Sequence, residues 1–504
     1  MRRITAPSSH VTSTGLESDA AAPRIDREAI DGAFDAMTGA EDVVATVPSE
    51  IRRADLLLTG PVRHAVFWLA LPIFGEQLLN AAIAWNDTYL AGRVSAAATG
   101  AVGFASYVSW LMTMLFGLVG IGATAIVARA VGAKNPREAL HATNQAMTLS
   151  VLLGLAGTFG VAAVAPLFAH LLNMRGHAAD AAIHYLRVES LGLIGAAVSL
   201  SMAACLRGAG DARTPLKILG GVNVVNMALS WVLAFGVGPW PGMGLVGIAW
   251  GTVIARWLGA LGFIAVMQRR DHVLRLCAFD MRPDRPLIKR MLRVGVPAAV
   301  DGALMFSGHF VFMAIVSRVP GAFSPEVVYA AHVVGIRIES LSYLPASAFM
   351  FAASTLVGQN IGAGQMARAH RCAHESTRQA SCFLLAVGLV LYFGAEEMFR
   401  LLSNNEQVWA AGVPALRALA FFQLTLAPLI VYTGALRGAG DTRVPIAITL
   451  AGLLLMRIPV ALFGGFVLQW GLLGAWLGMF ADLTVRAGLL TWRFVSGAWE
   501  RIKV

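Results

Sequence analysis

Charge is what this sequence has least of. Asp, Glu, Lys and Arg supply 13% of its 504 residues and hydrophobic side chains 57%, and so few charges cannot wrap a chain of this length in a polar shell. Much of its surface must therefore face lipid. Cysteine is almost as rare: Cys205, Cys277, Cys372 and Cys382 show neither paired nor metal-type spacing, so no disulfide framework is implied. No glycine is followed directly by lysine, which removes the P-loop and with it ATP hydrolysis by this chain. A nucleophile–base or metal constellation of the kind a membrane enzyme needs is also missing, and neither enzymatic activity nor an organic cofactor is expected. Behind Arg2 and Arg3 there is no apolar block, hence no signal peptide. Residues 1–60 are rich in Ala, Ser, Thr, Asp, Glu and Arg and are expected to stay a disordered cytoplasmic tail, with room for one short helix from Asp26 to Met37.

What is present is a succession of apolar runs. A helix needs about 20 mostly apolar residues to cross the hydrocarbon, because backbone groups in lipid must satisfy one another. Twelve runs qualify, near 65–90, 100–125, 144–167, 182–205, 217–237, 245–267, 293–316, 328–356, 376–394, 411–435, 446–467 and 472–494. Basic residues gather in alternate loops, around Arg129 to Arg137, Arg207 to Lys217, Arg269 to Arg290, Arg368 to Arg378, and Arg437 to Arg443. By the positive-inside rule those loops and both termini are cytoplasmic, in a multi-pass protein of the inner (plasma) membrane. The net charge of +10 belongs to this orientation; no nucleic-acid partner is expected.

The chain also repeats itself. "LRGAGDARTP" at 206–215 returns as "LRGAGDTRVP" at 436–445, and "VGAK" at 131–134 is answered by "IGAG" at 361–364. "GLVGIAW" at 244–250 is answered by "GLLGAW" at 471–476. Each half holds an even number of spans, so both enter the membrane in the same sense. The fold class is therefore all-α integral membrane, with about twelve transmembrane helices in two six-helix bundles related by a parallel pseudo-two-fold repeat, and a cavity between the halves. The boundaries read as a tail at 1–60, an N-terminal bundle at 61–267, a basic cytoplasmic linker at 268–292 and a C-terminal bundle at 293–504.

In order and spacing, "NDTYLAGR" (86–93), "IVARAVGAKNPREA" (126–139), the two "LRGAGD" turns and "YAAHVVGIRIESLSYLP…STLVGQNIGAG" (329–364) resemble the multidrug and toxic compound extrusion family, from about residue 61 to the last span. The resemblance implies a two-bundle exporter that exchanges toxic compounds, often organic cations, for Na⁺ or H⁺.

Ionisable residues inside spans are functional candidates because burying them in lipid is costly. Glu76 lies four residues after Pro72 in the first span and Asp301 four after Pro297 in the seventh, so the two acids are related by the repeat. Each lies roughly 10 residues, about 15 Å, into its helix, near the bilayer midplane. Pro72 and Pro297 give each helix a place to bend beside its acid. Asn80 and Asp87 continue a polar stripe from Glu76, while Phe312 stands where the second half would match Asp87. The resemblance places Asp87 on a first-span aspartate implicated in cation coupling in one branch of the family. Glu76, Asp301, Asp87 and Asn80 are thus the expected cation-coupling and substrate set, with Na⁺ placed at Glu76 and Asp87 if sodium is the ion. Trp85, Phe104, Trp110, Met305 and Phe306 are expected to line the substrate path, since aromatic and Met-rich surfaces accept many shapes. Arg256, Arg457, Asp482 and Arg486 are expected to pair between helices, His309 and His332 to be core histidines, and Asp211 and Asp441 to cap the helices that follow the repeated turns.

The expected function is antiport of small organic compounds against H⁺ or Na⁺ by a monomer in the lipid bilayer, with Glu76 and Asp301 meeting in one chamber. The competing class is a flippase for a lipid-linked precursor. That class needs a strongly basic cavity.

Overall fold

The computed structural model describes residues 57–171, 176–269 and 274–502, and the expectations for the tail up to residue 56 lie outside that range. The N-terminal half is built from α1 (Val62–Val94), α2 (Ala96–Gly132), α3 (Pro136–Leu171), α4 (His177–Ser190), α5 (Leu193–Gly208), α6 (Arg213–Phe235) and α7 (Leu245–Met267). The C-terminal half holds α8 (Arg285–Val316), α9 (Pro325–Gly362), α10 (Met366–Leu402), α11 (Glu406–Gly438), α12 (Arg443–Ala451), α13 (Ile458–Leu462) and α14 (Gly471–Val495). Among the described residues, eleven helical stretches are long and apolar enough to cross a membrane, and the bent pair α4–α5 makes a twelfth. The protein is a multi-pass membrane protein of two six-span bundles.

The fourth spans of the two halves differ. α11 runs unbroken, with Pro414 and Pro428 inside it, whereas α4 and α5 meet at 48°. The break at Leu191 and Gly192 is satisfied from outside the span: Trp257 Nε1 donates to the Leu191 carbonyl at 3.0 Å. Gly192 and Gly195 bring the bend against the α7 backbone around Arg256, closer than a larger residue would allow. The eleventh span is α12 and α13 joined by a π-helical turn at Gly452–Arg457, with a second such turn at Phe463–Val467. Between α6 and α7 a two-residue ribbon, β1 (Gly236–Val237) with β2 (Trp240–Pro241), pairs Gly236 with Pro241.

At the end that carries the two "LRGAGD" turns, small residues let the halves touch backbone to backbone. A methyl group on Gly132 would land on the Gln359 carbonyl, and one on Gly362 would land on the Arg129 carbonyl. Arg129 and Gln359, like Gly132 and Gly362, are partners in the repeat, so α2 and α9 cross on the pseudo-two-fold axis itself. Gln359 Nε2 donates to the Gly208 carbonyl at 2.9 Å, and Arg129 Nη2 to that of Ala439 at 2.8 Å. The linker is docked rather than loose where it is described. Asn144 Oδ1 accepts from Cys277 N and Gln145 Oε1 from Asp284 N, each at 2.9 Å, while His141 bridges Asp280 and Asp284.

The apolar cores of the halves are organised differently. Most buried apolar side chains of the C-terminal half form one continuous cluster, which also takes in Ala65, Val66, Leu69, Ala70 and Ile73 of α1. Most other buried apolar side chains of the N-terminal half form two clusters, one around Met202 and Phe263 and the other around Phe104 and Leu186.

Candidate functional site

The repeated acids are both buried and both already paired. Glu76 accepts two bonds from Arg207 Nη1, at 2.8 and 2.9 Å, and Asp301 meets Arg437 Nη2 at 3.2 Å. Arg207 and Arg437 are the arginines of the two "LRGAGD" turns, so the repeat carries its acid and its counter-ion together. Sequence reasoning read those arginines as anchors at the membrane surface, and the structure corrects that reading. The end of α5 is buried against α9, where Thr355 Oγ1 donates to the Arg207 carbonyl at 3.0 Å, and its arginine turns inward. The duplication of both acid and arginine was the signal that would have found the pairs. Of the two aspartates in these turns, Asp211 receives the backbone N–H groups of Arg213 and Thr214 at 3.0 and 3.1 Å, as expected of a cap. Asp441 instead takes the guanidinium of Arg493.

The two acids belong to separate networks. Glu76, Asn80 and Asp87 line a cavity of about 470 Å³ inside the N-terminal bundle, together with Tyr185, Glu189, Asn226 and Arg256. Asp301 is not in its wall. It lies in the C-terminal bundle, where Thr449 Oγ1 donates to it, and Arg486 Nη2 reaches the same hydroxyl at 3.0 Å. Arg486 leads on to Asp482 at 3.7 Å, and Asp482 to Arg457 at 2.6 Å. The cavity that holds Glu76 is lined by N-terminal residues alone, and each acid is drawn to the arginine of its own half, so this cavity does not bring Glu76 and Asp301 together.

Within the N-terminal cavity the charges are unequal. Glu189 holds Arg256 Nη2 at 2.9 Å and accepts the Ser109 hydroxyl at 2.6 Å. Glu76 has Arg207. Asp87 has no ion pair among the described residues, and its Oδ1 is buried without a hydrogen-bond partner. Asn223 Nδ2, Ser199 Oγ and Thr252 Oγ1 also line the cavity and make no bond to protein. The wall thus offers unspent donors and acceptors around one uncompensated carboxylate. Glu189 and Arg256 in this cavity were missed as site residues. Their sequence neighbours gave no sign of the partnership, which exists because the α4–α5 bend meets α7.

The expected lining residues disperse. Trp110 of α2 and Phe306 of α8 stack across the two halves with centroids 3.9 Å apart. Trp85 is exposed, and Met305 Sδ lies 2.7 Å from Arg486 Nη1. Phe104 is buried in an apolar cluster of the N-terminal half and is not among the residues lining this cavity. Pro72 and Pro297 stand inside continuous helices. His332 is a core residue, accepting from Trp476 Nε1 at 3.1 Å.

Comparison with known proteins agrees with this architecture. The MatE family profile matches twice, over residues 72–232 and 297–463, once in each half. A probable multidrug resistance protein NorM of Thermotoga maritima is 32% identical over 444 residues, which cover 87% of this chain and 94% of the relative. The multidrug resistance protein NorM of Burkholderia vietnamiensis is 29% identical, covering 86% and 94%. Among solved structures, the outward-facing conformation of a multidrug resistance MATE family transporter superposes with a TM-score of 0.82 at 21% identity, covering 89% of this chain and 98% of that one. With a family match in both halves and a relative at this identity along nearly its whole length, the chain belongs to the MatE family of transporters and is not an enzyme.

Proposed function

We propose that this protein is a secondary multidrug efflux transporter of the inner membrane, which exchanges organic cations from the cytosol for H⁺ or Na⁺ by alternating access. The observation that carries the reading is the charge balance of the N-terminal cavity. Two of its carboxylates, Glu76 and Glu189, are neutralised by guanidinium groups, and Asp87 is left over. A cavity with one surplus negative charge holds one monovalent cation well and two badly. A proton or Na⁺ on Asp87 therefore displaces a cationic substrate, and the substrate displaces the ion. That exclusion is antiport.

The relatives named as multidrug resistance proteins support a small-molecule cargo of broad structure. The acidic surplus speaks against a lipid-linked precursor flippase, whose pyrophosphate would meet a carboxylate instead of a basic wall. In this reading Asp301, already matched by Arg437 and Thr449, holds the C-terminal bundle together. Both termini and the basic end face the cytoplasm, and the sealed crossing of α2 and α9 closes that side while the cavity exchanges with the outside. Ion binding at Asp87 acts on α1, and Pro72 supplies the place where α1 can change its bend.

The experiment is export of a fluorescent lipophilic cation from proteoliposomes under an imposed pH gradient or an imposed Na⁺ gradient. One gradient is expected to drive export, and Asp87→Asn to abolish the driven component. Gradient-driven export that survives Asp87→Asn would remove the assignment.

A further inference from the structure

A second cavity, of about 430 Å³, opens at the basic end between the first turns of α1 and the turn that precedes α6. The transport cavity does not include it. Its floor is apolar, with Ala65 and Leu69 buried, and its rim carries His64, Trp68 and Arg213. Arg213 lies over the Trp68 ring, 6.0 Å from the centroid, and both side chains are exposed. Lys217 stands one helical turn beyond Arg213 and is exposed too, so two cations share a face of α6. Asp211, the one carboxylate in the described lining, is spent on the start of α6 through the backbone of Arg213 and Thr214 and the Thr214 hydroxyl. Neither Arg213 nor Lys217 has an ion pair among the described residues. From Trp68 the exposed surface of α1 continues into Phe67 and Leu71.

We infer that this crevice holds the headgroup of an anionic phospholipid from the leaflet at the basic end. A guanidinium and an ammonium one turn apart, with no free acid beside them among the described residues, select a phosphate and offer nothing to a headgroup ammonium. Tryptophan is suited to the boundary between headgroups and acyl chains, and a guanidinium on its face is held there while its donors stay free. The apolar floor and the exposed Phe67 and Leu71 take acyl carbons, which a free phosphate does not have. The site joins α1 to the turn after α5. The Glu76–Arg207 ion pair joins the same two elements inside the bundle, so a bound lipid reinforces that link from the outside.

The test uses the full chain, purified in neutral detergent and offered equal amounts of phosphatidylglycerol and phosphatidylethanolamine with matched chains, with retained lipid counted by native mass spectrometry. The wild type is expected to retain phosphatidylglycerol with a preference of about thirtyfold, the size expected of two basic groups. The double variant Arg213→Gln with Lys217→Gln is expected to lose that preference while its melting temperature stays unchanged, and Arg213→Lys to fall between. Equal retention of the two lipids by the wild type overturns the inference, and so does a double variant that keeps the preference. Displacement by millimolar inorganic phosphate overturns it in favour of a free anion. Binding that appears only after residues 1–48 are removed overturns it in favour of the chain's own tail as the occupant.

Discussion

The two bundles share a plan and differ in what fills them. Both carry an acid in the first span, held by the arginine of the repeated turn. Beyond that pair they part. Carried through the repeat, Asp87 becomes Phe312 and Glu189 becomes Leu419, both buried core in the C-terminal bundle. The N-terminal bundle has a polar cavity there, where the matching positions of the C-terminal bundle carry buried apolar side chains. A duplicated fold can thus keep its hinges and ion pairs in both copies and reserve chemistry for one. Packing explains the division: interiors at close-packed density lose stability wherever a cavity is left open, and one bundle that remains solid can support another that does not.

The comparison can be broken hardest at the shared ion pair. Arg207→Met leaves the buried Glu76 carboxylate without its counter-ion and should cost about 3–5 kcal/mol, read as a large fall in melting temperature in detergent. Arg437→Met should cost less, about 1–3 kcal/mol, because Asp301 keeps the Thr449 hydroxyl. Equal losses would mean that the two pairs are equivalent after all. Next in size is the contrast between acids. Asp87→Asn should weaken apparent affinity for a cationic substrate about ten- to a hundredfold, from the loss of a charge-assisted contact, whereas Asp301→Asn should change stability and leave gradient-driven export within about twofold. Binding measured directly on purified protein checks the first, and flux in proteoliposomes the second.

The seam between the bundles gives a third test. Gly132→Ala forces a methyl group onto the Gln359 carbonyl, and overpacking of this kind costs about 1–3 kcal/mol. The cost falls on the sealed state alone, so spin labels at Lys134 and Gln365 should report a population at longer distance. Gly362→Ala, its partner in the repeat, should do the same. The smallest effect is expected at the aromatic stack across the halves. Trp110→Ala should change apparent affinity for bulky aromatic cations about two- to tenfold and leave small cations alone.

Much of this was legible before the structure. The twelve runs, the alternation of basic loops and the doubled "LRGAGD" element anticipated every span, and Glu76, Asn80 and Asp87 do share a wall. That Arg256 would pair between helices was legible, but Glu189 as its partner and Arg207 as the partner of Glu76 were not. Arg207 follows an apolar run and precedes a glycine turn, the pattern of a surface anchor, and nothing local says that α5 ends inside the protein. Arg256 and Glu189 face each other only because α4 and α5 bend at Leu191.

Sequence alone determined that this chain crosses the membrane many times, in two halves with one orientation. Crossing is a local constraint, in which each segment must satisfy its own backbone and supply its own apolar length. Only the tertiary structure decided which carboxylate is left without a counter-ion. Glu76 and Arg207 are 131 residues apart, and charge balance in a low-dielectric interior depends on distances of a few ångströms between helices that the chain order does not reveal.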